Sequence, residues 1–183
     1  MNSYANYIET IIEHEPENKL LEASALYSQS FSTIPEMTYY KTLERMCKKG
    51  FLVHLTKGLY YRPKNTRFGT VPISEKDIVN HYIKDNQGIV VGYRLYNQKG
   101  LTTQISKRVE ILSSAVPGKK KNIHNVYVMN INISLTPETI PIIETLEILQ
   151  TYKSIEGINN TEPAAYIKEF AIENSDEATV HVL

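Results

Sequence analysis

Across residues 33–63, TIPEMTYYKTLERMCKKGFLVHLTKGLYYRP, a helical period gives way to a strand period at one glycine. Thr33 with Glu36 three residues on has the form of a capping box, and Pro35 falls in the first turn, where its missing N–H is tolerated. Apolar residues recur at Met37, Tyr40, Leu43, Met46 and Cys47, the spacing of one buried helical face. Lys48 and Lys49 suit the carbonyl end of the helix, and Gly50 ends it. Residues 51–55 (FLVHL) and 59–62 (LYYR) then read as two strands joined by the Gly-containing turn Thr56-Lys57-Gly58, with Pro63 closing the pair. A helix followed at once by a hairpin reads as the recognition helix and wing of a winged helix-turn-helix.

In that phase the outward face carries Thr38, Tyr39, Lys41, Thr42, Arg45 and Lys48. A helix fits the DNA major groove, and its N-terminal half meets the base edges. Thr38, Tyr39 and Thr42 are therefore expected at base edges, and Lys41, Arg45 and Lys48 at phosphates. Lys49 and Arg62 extend the basic surface, Lys57 at the wing tip reaches an adjacent groove or backbone, and Arg67 just beyond touches a phosphate. The competing reading is a solvated basic face on an ordinary helix–hairpin unit.

The formal net charge of zero by itself argues against a nucleic-acid partner. Its distribution argues the other way. Residues 34–67 hold eight Lys/Arg against two Glu, a net of +6, whereas residues 1–33 come to −4 and residues 134–183 to −7. Attraction to phosphates follows the local patch and not the total, so segregation of this kind sets a basic surface on an acidic body. A single cysteine excludes an internal disulfide framework. No apolar run approaches a membrane span, and the opening MNSYANYIETIIEHE lacks the pattern of a secretory signal, so a cytoplasmic location is expected.

Upstream, residues 4–15 read as a helix with Tyr4, Tyr7, Ile8, Ile11 and Ile12 on one face, stopped by Pro16. Residues 20–29 read as a second short helix and 28–32 as a turn. The order helix, helix, turn, helix, hairpin predicts a winged helix domain over residues 1–66. The polar stretch 64–72 is a linker to a small α+β domain over 67–183. There, Ser74 with Asp77 caps a helix whose apolar residues are Ile78, Val79, Tyr82 and Ile83. Residues 88–93 form either a short strand or the start of a buried helix, and 94–99 a helix ending at Gly100. Residues 107–114 and 123–133 alternate and are expected to pair as an antiparallel hairpin around a turn at 116–122. Residues 136–152 and 161–173 read as helices. The predicted class is α+β.

Residues 48–63, and then residues 92–112 (GYRLYNQKGLTTQISKRVEIL), resemble the AbiEi-type antitoxin family of transcriptional regulators, type IV toxin–antitoxin proteins, in a compact branch. The second segment, a short helix ending in Gly-Leu-Thr-Thr-Gln before a basic strand, is the more telling. The resemblance implies a DNA-binding winged helix, a C-terminal domain needed for antitoxicity and repression of the protein's own operon. It also implies a nucleotidyltransferase-like toxin as a functional partner without a stable complex. The chain departs from larger members of that family after Ser134, where two acidic helices are all that remain.

No constellation of residues carries a reaction, and neither a cofactor nor a metal is expected. Residues 118–121 (GKKK) lack the upstream glycine and following Ser/Thr of a phosphate loop and read as a basic turn. His14, His54, His81, His124 and His181 have no metal-ligand spacing, and Asp77, Asp85 and Asp176 are too dispersed to share an ion. Cys47, beside Met46, reads as a core thiol. The rival to a DNA-binding regulator is a protein-interaction module using the winged helix and the acidic C-terminal helices.

Overall fold

A computed structural model describes residues 4–116, 118, 120–155 and 161–173. The basic turn's Pro117 and Lys119, and the last ten residues with Asp176 and His181, lie outside the described residues. The chain is mixed α+β, as predicted. Its contacts divide it into two units, Met1–His81 and Tyr82–Leu183, a boundary later than the one expected at residue 66. Among the described residues no helix is long and apolar enough to cross a membrane.

In the first unit, α1 (Tyr4–Glu13) buries Ile8 and Ile12. The chain then differs from its prediction. Leu20–Glu22 is not helical; it forms strand β1, followed by the single turn α2 (Ala23–Leu26) and a π-helical turn over Tyr27–Phe31. The reason is a partner distant in sequence. β2 (Val53–Thr56) and β3 (Leu59–Tyr61) form the predicted hairpin, and β3 offers its other edge to β1, with Leu20 opposite Tyr61 and Glu22 opposite Leu59. The sheet order is β1-β3-β2. Leucine has helical propensity, but strand pairing and burial of Leu20 and Leu21 outweigh it.

Helix α3 (Glu36–Lys48) follows. One core joins Ile8, Ile12, Leu21, Phe31, Ile34, Tyr39, Leu43, Met46 and Leu52. The expected linker at 64–72 is instead a second hairpin, β4 (Lys64–Thr66) with β5 (Gly69–Val71), all six strand residues of which are exposed. It is tied by its own side chains: the Thr66 hydroxyl donates to the Gly69 carbonyl, and the Thr70 hydroxyl to Asn65 Oδ1, both at 2.9 Å. α4 (Glu75–Ile83) starts on the predicted capping box, the Asp77 amide donating to Ser74 Oγ at 3.1 Å and the Ser74 hydroxyl to the Asp77 carboxylate at 2.6 Å. Near its other end, His81 Nε2 lies 3.5 Å from Glu22 Oε1 on β1, a contact within the first unit, which ends at His81.

The second unit contains β6 (Gly88–Val91) and α5 (Tyr93–Gln98): of the alternatives for residues 88–93, the strand holds as far as Val91, Gly92 turns the chain and Tyr93 opens the helix. Then come β7 (Val109–Ser113), β8 (Lys120–Ile123), β9 (Val126–Asn130), α6 (Thr139–Thr151) and α7 (Thr161–Glu173). The expected antiparallel hairpin of 107–114 with 123–133 does not form. β8 takes the antiparallel place beside β9 through the two-residue turn His124-Asn125, with His124 at φ 52°. β9, its direction thus fixed, runs parallel to β7, Val109 opposite Val126 and Ile111 opposite Val128. The sheet order is β6-β7-β9-β8. Val109, Ile111, Val126 and Val128 alternate along β7 and β9 and are all buried. Leu95, Tyr96, Leu101, Ile148 and Ile155 form a core cluster between α5 and α6.

Candidate nucleic-acid interface

Helix α3 presents the candidate surface, and its two ends fix how it does so. The predicted Thr33/Glu36 box is absent: the helix begins at Glu36 with Pro35 as N-cap and no side-chain cap bond. Proline's fixed φ presets the entry, and the Pro35 carbonyl accepts from the amides of Thr38 and Tyr39. The C-terminus has a left-handed cap as expected. Gly50 at φ 78° lets its own amide reach the Cys47 carbonyl and the Phe51 amide reach that of Met46, both at 3.0 Å. That cap turns the chain directly toward β2.

The helix is rotated relative to the predicted face. Tyr39, Thr42, Leu43 and Met46 are buried, while Met37 is 69% exposed and Tyr40 lies at the surface. Tyr39 and Thr42, expected at base edges, are therefore corrected to core positions. The Tyr39 ring packs 5.2 Å from both Tyr27 and Phe31, and its hydroxyl donates to the Ala23 carbonyl at 3.0 Å. The Thr42 hydroxyl donates to the Thr38 carbonyl at 2.8 Å. Burial raises the Tyr39 pKa far above the ordinary tyrosine value, so its phenol stays protonated. The spacing 39, 42, 43, 46 is as helical as 37, 40, 43, 46, and the choice of Met37 as the more apolar partner misled the phase.

The cationic residues do gather. Thr38, Lys41, Glu44, Arg45 and Lys48 line an open concavity of about 440 Å³ along the exposed side of α3. Arg45 is anchored, its guanidinium donating to Thr42 Oγ1 at 3.0 Å. Lys48 pairs with Glu44 at 2.7 Å with both side chains well exposed, a pair that solvent weakens and a phosphate can displace. The hydrogen bond and charge of Lys48, with the charge of Lys41, hold the Glu44 carboxyl below its ordinary value. Lys49 reaches Glu9 of α1 at 3.3 Å. Lys57 is exposed at the β2–β3 turn, where the Gly58 carbonyl accepts from the Ala23 amide and pins the turn to α2.

Arg62 needs a correction: its guanidinium donates to the Glu15 carbonyl and its backbone bridges to Glu17, so it braces the body of the unit and does not extend the basic face. Arg67 stands at the β4–β5 turn with its guanidinium carbon 4.6 Å from the centre of the Phe68 ring, and Phe68 is 86% exposed. Phe68 escaped sequence reasoning because the stretch looked like a linker; its signal was an unaccompanied aromatic between Arg67 and Gly69. Met37 and Tyr40 were missed for the opposite reason, being taken as core.

Cys47 is half-buried, and burial pushes its thiol pKa up, the reverse of an activated nucleophile. Among the described residues no group of three or more His, Cys, Asp or Glu is placed to hold a metal ion.

A family model described as "Family of unknown function (DUF6088)" matches residues 15–150, from the end of α1 to the end of α6. No curated protein matches the chain.

Proposed function

The chain belongs to the DUF6088 family, and we propose that it is a cytoplasmic, duplex-DNA-binding transcriptional regulator whose first unit is a winged helix. The observation that carries this reading is the row of exposed Lys41, Arg45 and Lys48 beside half-buried Thr38, on a helix that leads directly into a hairpin. The order α1, β1, α2, α3, β2, β3 and the sheet order β1-β3-β2 support it. In the proposed mode α3 enters the major groove. Met37, Thr38 and Tyr40 in its first turns face base edges, Lys41, Arg45 and Lys48 meet phosphates, and Lys57 braces the flanking backbone. The protein acts by occupancy, blocking access to a promoter, and not by chemistry.

The AbiEi-like segments extend the proposal: the regulator is the antitoxin of a type IV pair that represses its own operon, with a nucleotidyltransferase-like toxin as its functional counterpart. Two experiments test these levels separately. Gel-shift titration against the upstream intergenic duplex and a scrambled duplex should give binding that weakens steeply with salt. Lys41→Ala with Arg45→Ala should lower the salt slope by about 2, two phosphate contacts at about 0.9 each. Equal binding by this double variant refutes the docking, and salt-independent capture of a protein in place of DNA favours the interaction-module reading. A nucleotidyltransferase-like gene should adjoin this one, and co-expression with it should rescue growth; absence of such a gene or failure to rescue removes the antitoxin role and leaves the regulator.

A further inference from the structure

We infer that the second unit carries a binding groove for a single nucleic-acid strand, built around Arg108 and Tyr127 at the open end of the β7, β8 and β9 face, beyond the Leu112 and Met129 side chains that pack into the core. The groove has a volume of about 490 Å³ and is lined by Lys107, Arg108, Lys120, Asn122, His124 and Tyr127, among others. Its floor is set by strand order. β9 lies between β7 and β8, so Tyr127 sits opposite Glu110 on one side and Asn122 on the other. Alternation puts Arg108, Glu110, Tyr127, Asn122 and Lys120 on one face.

Arg108 lies over Tyr127, its guanidinium carbon 4.1 Å from the ring centre, and Glu110 holds the same guanidinium with Oε1 3.3 Å from Nε. A guanidinium on a phenol is a cationic platform of the kind on which an unpaired base stacks. The walls are basic. Lys107 and Lys120 are exposed, and among the described residues no carboxylate lies within ion-pair distance of either. The Asn125 side-chain Nδ2 donates to the Lys107 carbonyl at 2.7 Å and so ties the β8–β9 turn to the segment entering β7. Asn122 and His124, both exposed, supply hydrogen-bonding groups at the rim.

Lysines flanking a stacking platform match one strand, whose phosphates and base faces are both accessible. A duplex hides its base faces in its own stack and leaves the platform unused. The groove belongs wholly to the second unit, and it stands or falls separately from α3.

The test is fluorescence anisotropy of the full chain with a labelled mixed-sequence 10-mer, as RNA, as DNA and annealed as a DNA duplex. At least one single strand should bind. Lys107→Ala with Lys120→Ala should weaken that binding at least about tenfold and lower its salt slope by about 1.4, two contacts at about 0.7 each. Tyr127→Leu should weaken it about tenfold with the salt slope unchanged, because stacking releases no counterions. Repeated in the Lys41→Ala with Arg45→Ala background, which removes any strand held by α3, the effects of the Lys107/Lys120 pair and of Tyr127 should persist. A preference for one sugar identifies RNA or DNA as the ligand. Binding of neither strand, single-strand binding indifferent to the lysine pair, or a lysine-pair effect on the duplex alone overturns the inference; the lysines are exposed, and matched thermal melting of that variant establishes that it is folded.

Discussion

The Arg45 guanidinium donates to the Thr42 hydroxyl at 3.0 Å, so a side chain with no exposed surface steers one that faces solvent. Thr42 in turn donates to the Thr38 carbonyl one turn back. The arrangement predicts that Thr42→Ala acts on DNA affinity through Arg45. Duplex binding should weaken a few-fold for every sequence alike, because one orienting hydrogen bond contributes about 1 kcal/mol. Competition titrations with operator and scrambled duplexes check this; an altered ratio between the two would mean that Thr42 itself reads a base.

Tyr39 should behave as a core residue. Tyr39→Phe removes the bond to Ala23 and leaves that carbonyl without its phenol partner, at about 1–3 kcal/mol of stability. Tyr39→Ala should lose about 3–5 kcal/mol through the cavity it opens among Tyr27, Phe31 and Leu43. Urea denaturation followed by far-UV circular dichroism measures both, and DNA affinity of the folded Tyr39→Phe protein should match the wild type.

Gly50 is the hinge between α3 and the β2–β3 hairpin. Its φ of 78° is unfavourable for any residue with a Cβ, although no atom would obstruct one there. Gly50→Ala should therefore lower stability by about 1–2 kcal/mol, with the whole effect in the backbone. Gly50→Asn, which tolerates the left-handed region better, should recover part of it in the same denaturation assay.

The β4–β5 hairpin packs none of its strand residues, so its tip is free of folding duties. Arg67→Ala should reduce duplex affinity and lower the salt slope by about 1. Phe68→Ser should leave the melting temperature unchanged, since the ring is exposed and its Arg67 contact is a surface one. Scanning calorimetry and gel shifts on the two variants check the pair; a fall in melting temperature on losing Phe68 would show that the ring serves packing.

Alkaline pH should loosen the second unit through Tyr96. Burial, countered by the hydrogen bond with Thr151 and reinforced by the charge of Glu147, pushes this phenol up to about 12. A folded value above the unfolded one of about 10 favours the neutral phenol, so the stabilisation is complete below pH 10 and is lost as pH rises through about 12. Tyr96→Phe removes the hydroxyl that meets Glu147 and Thr151 and should be the less stable protein at pH 8. The gap between wild type and variant should close between pH 10 and 12, as read from urea midpoints across that range.

Local signals were enough for the elements whose causes are local. The 3.6-residue spacing gave α1 and α6, the Ser74–Asp77 pair started α4, Gly50 stopped α3, and alternation marked β7 and β9. The cationic row on α3 was also legible, because Lys41, Arg45 and Lys48 have charges that resist burial in either phase. Three things were decided only by tertiary structure. Tyr39 and Tyr40 are neighbours of equal chemistry, and which one is buried depends on where Phe31 and Tyr27 stand. Leu20–Glu22 is extended because β3 has an edge to fill. β9 runs parallel to β7 because β8 intervenes at the sheet edge. Periodicity fixes which residues share a face, while the direction of that face and the partner of each strand depend on residues outside the element, from eight positions away for Phe31 and Tyr39 to about forty for Leu20 and Tyr61.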